Sequence, residues 1–226
     1  MRRTIVLIAE NPASEKSIEG LCPPLEPADG TRLHEGLILD SLRKFGSVPD
    51  SELVVSYAPA SAIDFFSCTN SKADTFILRT ETDRIKGIDG VFQELCDHDR
   101  SVIAMGSDSP TLPARCVELA FDSLASGSVD LVLGPVESGG CYLIGVNEHR
   151  PELLANIEWN ADLVKSLVER AASLDMGWYL LPEWYSVERS SDLAHLKAEL
   201  FDQWATNPSA PITKALLGEL KTAGKV

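Results

Sequence analysis

From Ser101 the chain turns apolar through Val102-Ile103-Ala104-Met105, then breaks at Gly106 into the polar turn Ser107-Asp108-Ser109-Pro110. A short continuous apolar run that ends in glycine and proline reads as a buried parallel strand. The carboxyl end of such a strand is where open α/β sheets hold their ligands. Beyond Pro113, the residues Val117, Ala120, Phe121 and Leu124 recur at i, i+3, i+4 and i+7 and predict an amphipathic helix starting near the proline. Leu131-Val132-Leu133, closed by Gly134-Pro135, and the run Cys141 to Val146 predict two more buried strands. The same pattern places strands at Thr4–Ala9, central in the sheet, and at Leu53–Tyr57, Phe76–Leu78 and Trp178–Leu181. Helices are expected from between Pro27 and Thr31 to Gly46, over Ile88–Cys96, and on the stripe Leu163, Leu167, Val168, Ala171. Pro151–Asn156 reads as a short helix or turn, and Leu193–Phe201 and Ile212–Leu220 as terminal helices that pack on the domain or on a partner. Strands alternating with helices predict an α/β fold with a mostly parallel sheet.

Composition narrows the function classes. The 226 residues are enough for one well-buried α/β domain, and the 44% hydrophobic and 24% charged content is that of a globular chain. A formal net charge of -14 argues against nucleic-acid or anionic-membrane binding, because either needs a basic patch to offset phosphate charge. A small anionic substrate would need locally placed cations, helix N-termini or a metal. Cys22, Cys68, Cys96, Cys116 and Cys141 are odd in number, widely spaced and free of a C-x-x-C pair, so reduced thiols and a cytoplasmic location are expected. Glu10 cuts the first apolar run too short for a signal peptide or a membrane span.

Gly106-Ser-Asp-Ser-Pro-Thr-Leu-Pro113 and Gly134-Pro-Val-Glu-Ser-Gly-Gly-Cys-Tyr-Leu-Ile-Gly145 resemble the two signature blocks of a bacterial family of uncharacterised glycosyltransferase-A-like proteins, the selenodomain-associated glycosyltransferase type. More distantly the chain is similar to molybdenum-cofactor cytidylyltransferases and 2-phospholactate guanylyltransferases. The resemblance implies a three-layer α/β/α, nucleotide-diphospho-sugar transferase-like domain over residues 1–226, with a signature core at 102–146 and a helical extension from about residue 193. It implies a metal-dependent glycosyl or nucleotidyl transferase acting on a nucleotide or nucleotide-sugar and a small acceptor. Asp108 and Glu188 would be catalytic and would bind Mg²⁺ or Mn²⁺. Glu10, Asn11, Pro12, Lys16, Gly106 and Ser107 would line the nucleotide, and Glu137, Ser138, Gly139 and Gly140 the acceptor. Homo-oligomerisation is left open.

The chain departs from the family at several of these positions. The first loop, P-x-x-G-x-x-K-T-R-L in the family, reads Pro12-Ala-Ser-Glu15-Lys16-Ser-Ile18-Glu19-Gly20-Leu21, which removes two cations and adds two anions where phosphates would lie. D-G-G-Y becomes Ser138-Gly-Gly-Cys141, and the aspartates of D-V-D become Ser186 and Glu188. Thr80 to Gly87 matches a second family loop only loosely, which leaves Arg84 and Lys86 as cations of unassigned direction. Plainer readings stand beside the functional ones. Asp108 can cap the helix after Pro113 or brace its turn, Glu188 can be an exposed loop carboxylate, and the glycines at 139 and 140 can serve a hairpin. Cys141 reads as an inert buried thiol, Trp159 as core, and His34, His98, His149 and His195 as surface or packing residues. Together the changes motivate an alternative class of function beside the transferase, a catalytically degenerate scaffold that binds a metabolite or a protein.

Overall fold

The computed structural model describes residues 1–69, 73–81, 83–97, 99–137, 139–202 and 210–224, apart from the side chain of Lys16. In chain order the elements are β1 (Arg2–Glu10), α1 (Glu15–Ile18), α2 (Pro27–Phe45), β2 (Ser51–Ala58), α3 (Ile63–Cys68), β3 (Thr75–Leu78), α4 (Arg84–Leu95) and β4 (Arg100–Gly106). There follow α5 (Ala114–Ala125), β5 (Leu131–Pro135), β6 (Cys141–Val146), α6 (Pro151–Leu154), α7 (Leu163–Ser173), β7 (Trp178–Leu180), α8 (Asp192–Phe201) and α9 (Pro211–Thr222). The predicted elements are present with ends displaced by a few residues. Two differences have local causes. Pro113 is the N-cap of α5 and not its first residue, and α4 starts at Arg84, before Ile88, because the Asp83 carboxylate accepts from the Lys86 amide and caps the helix.

The strands form one sheet in the order β3-β2-β1-β4-β6-β5-β7, with β6 antiparallel to both its neighbours and the other pairs parallel. β1 and β4 lie inside it and their residues are almost entirely buried, which explains why both runs lack the alternation of a half-exposed strand. One face is covered by Ile38, Leu42 and Phe45 of α2, Phe66 of α3, and Val117 and Phe121 of α5. The opposite face is covered by Ile85, Ile88 and Phe92 of α4, Leu153 of α6, and Leu163 and Leu167 of α7. The three-layer α/β/α arrangement is therefore present. A third apolar cluster joins Leu33 and Leu37 of α2 to Leu196 and Leu200 of α8 and to Leu216 and Leu217 of α9. The C-terminal helices are thus packed onto the back of α2.

The topology fixes where a ligand can sit. From β1 the chain steps outward to β2 and β3, then returns to place β4 on the other side of β1. The loops leaving β1 and β4 lead to α2 and α5 on one face, whereas the loop leaving β3 leads to α4 on the other, and a crevice opens between them at the carboxyl ends of the strands, the usual binding position in such sheets. The register aligns Ile8 with Gly106, Glu10 with Ala58, and Tyr57 with Leu78, so Glu10, Arg79 and the Gly106-Ser107-Asp108 turn come to one edge. Among the described residues, no helix is long and apolar enough to cross a membrane.

Candidate functional site

A cavity of about 380 Å³ opens at this edge, lined by Glu10, His34, Arg79, Arg84, Gly106, Ser107, Asp108 and Glu188 together with Ile8, Ser17, Gly20, Leu21 and Val187. Asp108 reaches it because β4 ends at Gly106 and the next turn is held from outside. The Ser41 hydroxyl of α2 donates to the Ser107 carbonyl at 3.1 Å, and Lys44 donates to the carbonyls of Pro110 and Leu112. The turn is also stitched to the segment before α8. Val187 N–H donates to the Asp108 carbonyl at 2.8 Å, the Ser109 hydroxyl donates to the Tyr185 carbonyl at 2.9 Å, and the Ser109 and Ser186 hydroxyls pair at 3.3 Å. These bonds carry Glu188 to Asp108 across 80 positions of sequence. Ser186, one of the altered aspartate positions, belongs to this buried stitch.

Arg84 lies between the two carboxylates. Its Nη1 is 3.1 Å from Glu188 Oε1 and its Nη2 is 3.4 Å from Asp108 Oδ2, while the guanidinium rests over the Trp159 ring at 4.1 Å. Burial opposes its charge, but Asp108 and Glu188 more than restore it and hold the arginine pKa above its ordinary value. Burial, and then the like charge of Asp108, pushes the Glu188 carboxyl upward, and Arg84 only partly offsets this. Asp108 Oδ1 is buried without a hydrogen-bond partner. Gly106 makes the arrangement possible. A Cβ there would collide with Asp108 Oδ1 and lie 3.2 Å from Arg84 Nη2. The helix-cap reading of Asp108 is excluded, since α5 has no side-chain cap.

The rest of the wall is also ionic. Arg79 follows β3 with its side chain only 5% exposed and pairs with Glu10 at 2.6 Å. Its stem lies over Gly87, where a Cβ would be 2.6 Å from Arg79 Cδ. His34, on α2, has its pKa lowered by burial, against the pull of Asp108 and Glu10 and of a hydrogen bond to the Pro12 backbone, and its Nδ1 is buried without a partner. A neutral imidazole in a cavity wall can accept or deliver a proton. His34 is therefore a cavity residue, neither surface nor mere packing. His149 pairs with Asp89 at 2.9 Å and His195 stacks on Tyr185 at 4.1 Å, as packing roles would have it, and His98 lies outside the described residues.

Of the expected nucleotide residues, Glu10, Gly106 and Ser107 line the cavity, whereas Asn11 and Pro12 form the turn behind it. Asn11 accepts from Ala13 N–H at 2.9 Å through its side chain and from the Ser17 hydroxyl at 3.1 Å through its carbonyl. The Lys16 side chain lies outside the described residues. The first loop itself has become a packed turn of helix. Ile18 and Leu21 are buried, and a side chain at Gly20 would collide with the Glu188 carbonyl oxygen. A side chain at 20 has no room here, because the Glu188 backbone passes against Gly20. The loop expected to hold the acceptor is the β5–β6 hairpin. Gly139 and Gly140 adopt φ of 90° and 88°, and Gly140 faces the Trp159 indole, while Glu137 is exposed and donates its N–H to the Trp184 carbonyl at 3.0 Å. None of the three borders the cavity, and Ser138 lies outside the described residues. Cys141 is buried and burial pushes its pKa up to about 12, in keeping with an inert thiol.

Sequence reasoning missed Arg79 and His34 and left Arg84 undirected. Arg84 carried a usable signal, because it directly follows the capping Asp83 and so sits in the first turn of a helix that starts at the ligand edge. Arg79 and His34 carried none.

The model of a family described as "Uncharacterized protein conserved in bacteria" (DUF2064) matches residues 42–161, rather more than half of the chain. The chain belongs to this family. The DUF2064 match spans Arg79, Arg84, Asp108, the hairpin and Trp159, and leaves the altered first loop and Glu188 outside it. No curated protein matches the sequence. Among solved structures, a protein from Desulfovibrio desulfuricans G20, provisionally described as a nucleotide-diphospho-sugar transferase, is 24% identical with a TM-score of 0.86, covering 98% of this chain and 96% of that one. A cytidylyltransferase from Leptospira borgpetersenii serovar Hardjo-bovis is 12% identical with a TM-score of 0.58, covering 99% and 95%. A CMP:2-keto-3-deoxy-manno-octonic acid synthetase complexed with CTP is 13% identical with a TM-score of 0.55, covering 88% and 98%. At these identities the likeness is one of fold, and it bears out the nucleotide-diphospho-sugar transferase fold expected of this DUF2064 member.

Proposed function

We propose that the chain is a metal-dependent transferase acting on a nucleotide-activated substrate, with the nucleotide phosphates entering the cavity between the ends of β1 and β4. One observation carries this reading: Asp108 and Glu188, from separate parts of the chain, converge beside Arg79 and Arg84 at the ligand edge of a sheet whose fold is shared with nucleotide-using proteins. The donor set suits a hard divalent ion. Asp108 offers a buried oxygen without a partner and Glu188 a second carboxylate, while no group of three or more metal-binding side chains occurs among the described residues. Two protein carboxylates with substrate phosphates completing the shell is the common arrangement for Mg²⁺. Asp108 and Glu188 would hold the ion, which when bound would neutralise phosphate charge. Arg79 stiffens Glu10 at the rim, and His34 provides an uncharged proton acceptor. Phosphoryl and glycosyl transfer need little more from a protein than such positioning and charge compensation.

Calorimetric titration with nucleoside triphosphates and nucleotide sugars, with and without Mg²⁺ or Mn²⁺, tests the reading. Metal-dependent binding of one nucleotide, weakened at least about a hundredfold in Asp108→Asn, is expected, in line with the loss of a charge-bearing partner. Binding unchanged by that substitution would overturn the assignment. The degenerate-scaffold reading is favoured by the first loop, where buried Ile18 and the crowded Gly20 replace phosphate-facing cations. It predicts no nucleotide binding under any of these conditions.

A further inference from the structure

The transferase reading gives Arg84 no role of its own, yet Arg84 makes the contacts expected of the ion. Its guanidinium spans both carboxylates at 3.1 and 3.4 Å, is braced by the Trp159 ring at 4.1 Å, and passes close to Gly106, where a Cβ would be 3.2 Å from Nη2. A divalent ion bound to this pair through Asp108 Oδ1 and Glu188 would share both carboxylates with the guanidinium and lie within a few ångströms of its charge. The two cations therefore oppose each other at this pair.

We propose that Arg84 and the divalent ion compete for one seat: the guanidinium is the resident counter-cation of the Asp108–Glu188 pair, and an ion binds by displacing it. This rests on the assignment of those carboxylates to an ion, and it adds a consequence. Displacement releases a planar cation with five donors into the cavity beside Arg79, and a guanidinium is suited to bidentate phosphate contacts. Arg84 thus becomes available to a phosphate, but only once the ion is present. The device makes ion binding weak in the free protein and couples it to the arrival of phosphate, since each partner favours the displaced arginine.

The test uses Mn²⁺ alone, with the free ion followed by its electron paramagnetic resonance signal, on the purified full chain. Arg84→Met should tighten Mn²⁺ binding about tenfold or more over the natural chain, and adding Asp108→Asn to that variant should abolish the gain. Arg84→Gln is shorter but ends in a planar polar group without the charge, and should show the same gain if Arg84→Met folds poorly. A companion titration with Mg²⁺ should change indole emission in the natural chain as the guanidinium leaves Trp159, and should leave Trp159→Phe unresponsive. Equal Mn²⁺ affinity in the natural chain and the folded Arg84 variants, or binding in none of them, would overturn the proposal. No nucleotide enters these measurements, so their failure is separate from a failure to bind nucleotide.

Discussion

Lys44 donates from its ammonium to the carbonyls of Pro110 and Leu112, inside the loop that follows Asp108. Burial lowers its pKa to about 8, against the opposing pull of Glu199 and Asp40. Between about pH 8 and the ordinary lysine value the unfolded chain holds a proton that the folded chain has released, so stability from this group rises with pH across that window. Urea unfolding between pH 7 and pH 10 is therefore expected to give the natural chain an extra upward slope, at most about 1.4 kcal/mol per pH unit, that Lys44→Met lacks. A parallel pH dependence in the two proteins would refute the buried-ammonium account. Legibility at this scale was uneven. Asp108 stood out because it directly follows a buried strand, and Gly106 because it ends one. His34 is one member of a helical sequence whose apolar stripe says which face is buried but not that a polar residue beside the stripe meets the end of β1. The same holds for Arg79, whose direction depends on the absence of a side chain at Gly87.

At the scale of elements, the apolar periodicity predicted nearly every helix and strand, because burial on one side leaves a regular trace in sequence. What joins the elements is polar and long-range. The buried carboxylate of Asp40 in α2 accepts from the amides of Ile212 at 3.2 Å and Thr213 at 2.8 Å, and so serves as the N-terminal cap that α9 lacks locally. Asp40→Ala should lower stability by about 2 kcal/mol, the upper range for losing a cap and leaving buried amides unpaired. It should also expose α9 to limited proteolysis before the rest of the chain. Cleavage unchanged from the natural protein would mean that the apolar contacts of α9 suffice without the cap. The stitch between residues 108–111 and 185–187 works in the same way: the Ser186 hydroxyl meets Ser109 where the aspartate of the resembling motif would bury a charge.

At the scale of the whole molecule, the net charge of -14 surrounds a cavity whose described ionic wall consists of Glu10, Asp108 and Glu188 against Arg79 and Arg84. On the proposed function, an anionic nucleotide would approach against the overall field. Raising salt from about 10 to about 150 mM shortens the Debye length to roughly 8 Å and should speed nucleotide association severalfold, the reverse of the behaviour of a basic nucleotide-binding surface. Stopped-flow rates that fall with salt would indicate that local cations govern the encounter. Taken by itself, the sequence determined the α/β class, the order of elements, the ligand edge after Met105, and Asp108 as the carboxylate placed there, because strand burial and turn chemistry are local and periodic. Only the tertiary structure decided that Glu188 meets Asp108, that Arg84 bridges them over Trp159, that Arg79 and His34 complete the wall, and that a side chain at Gly20 is barred by the Glu188 backbone. These depend on contacts between segments far apart in the chain, set by strand order and by hydrogen bonds that leave no periodic trace in the sequence.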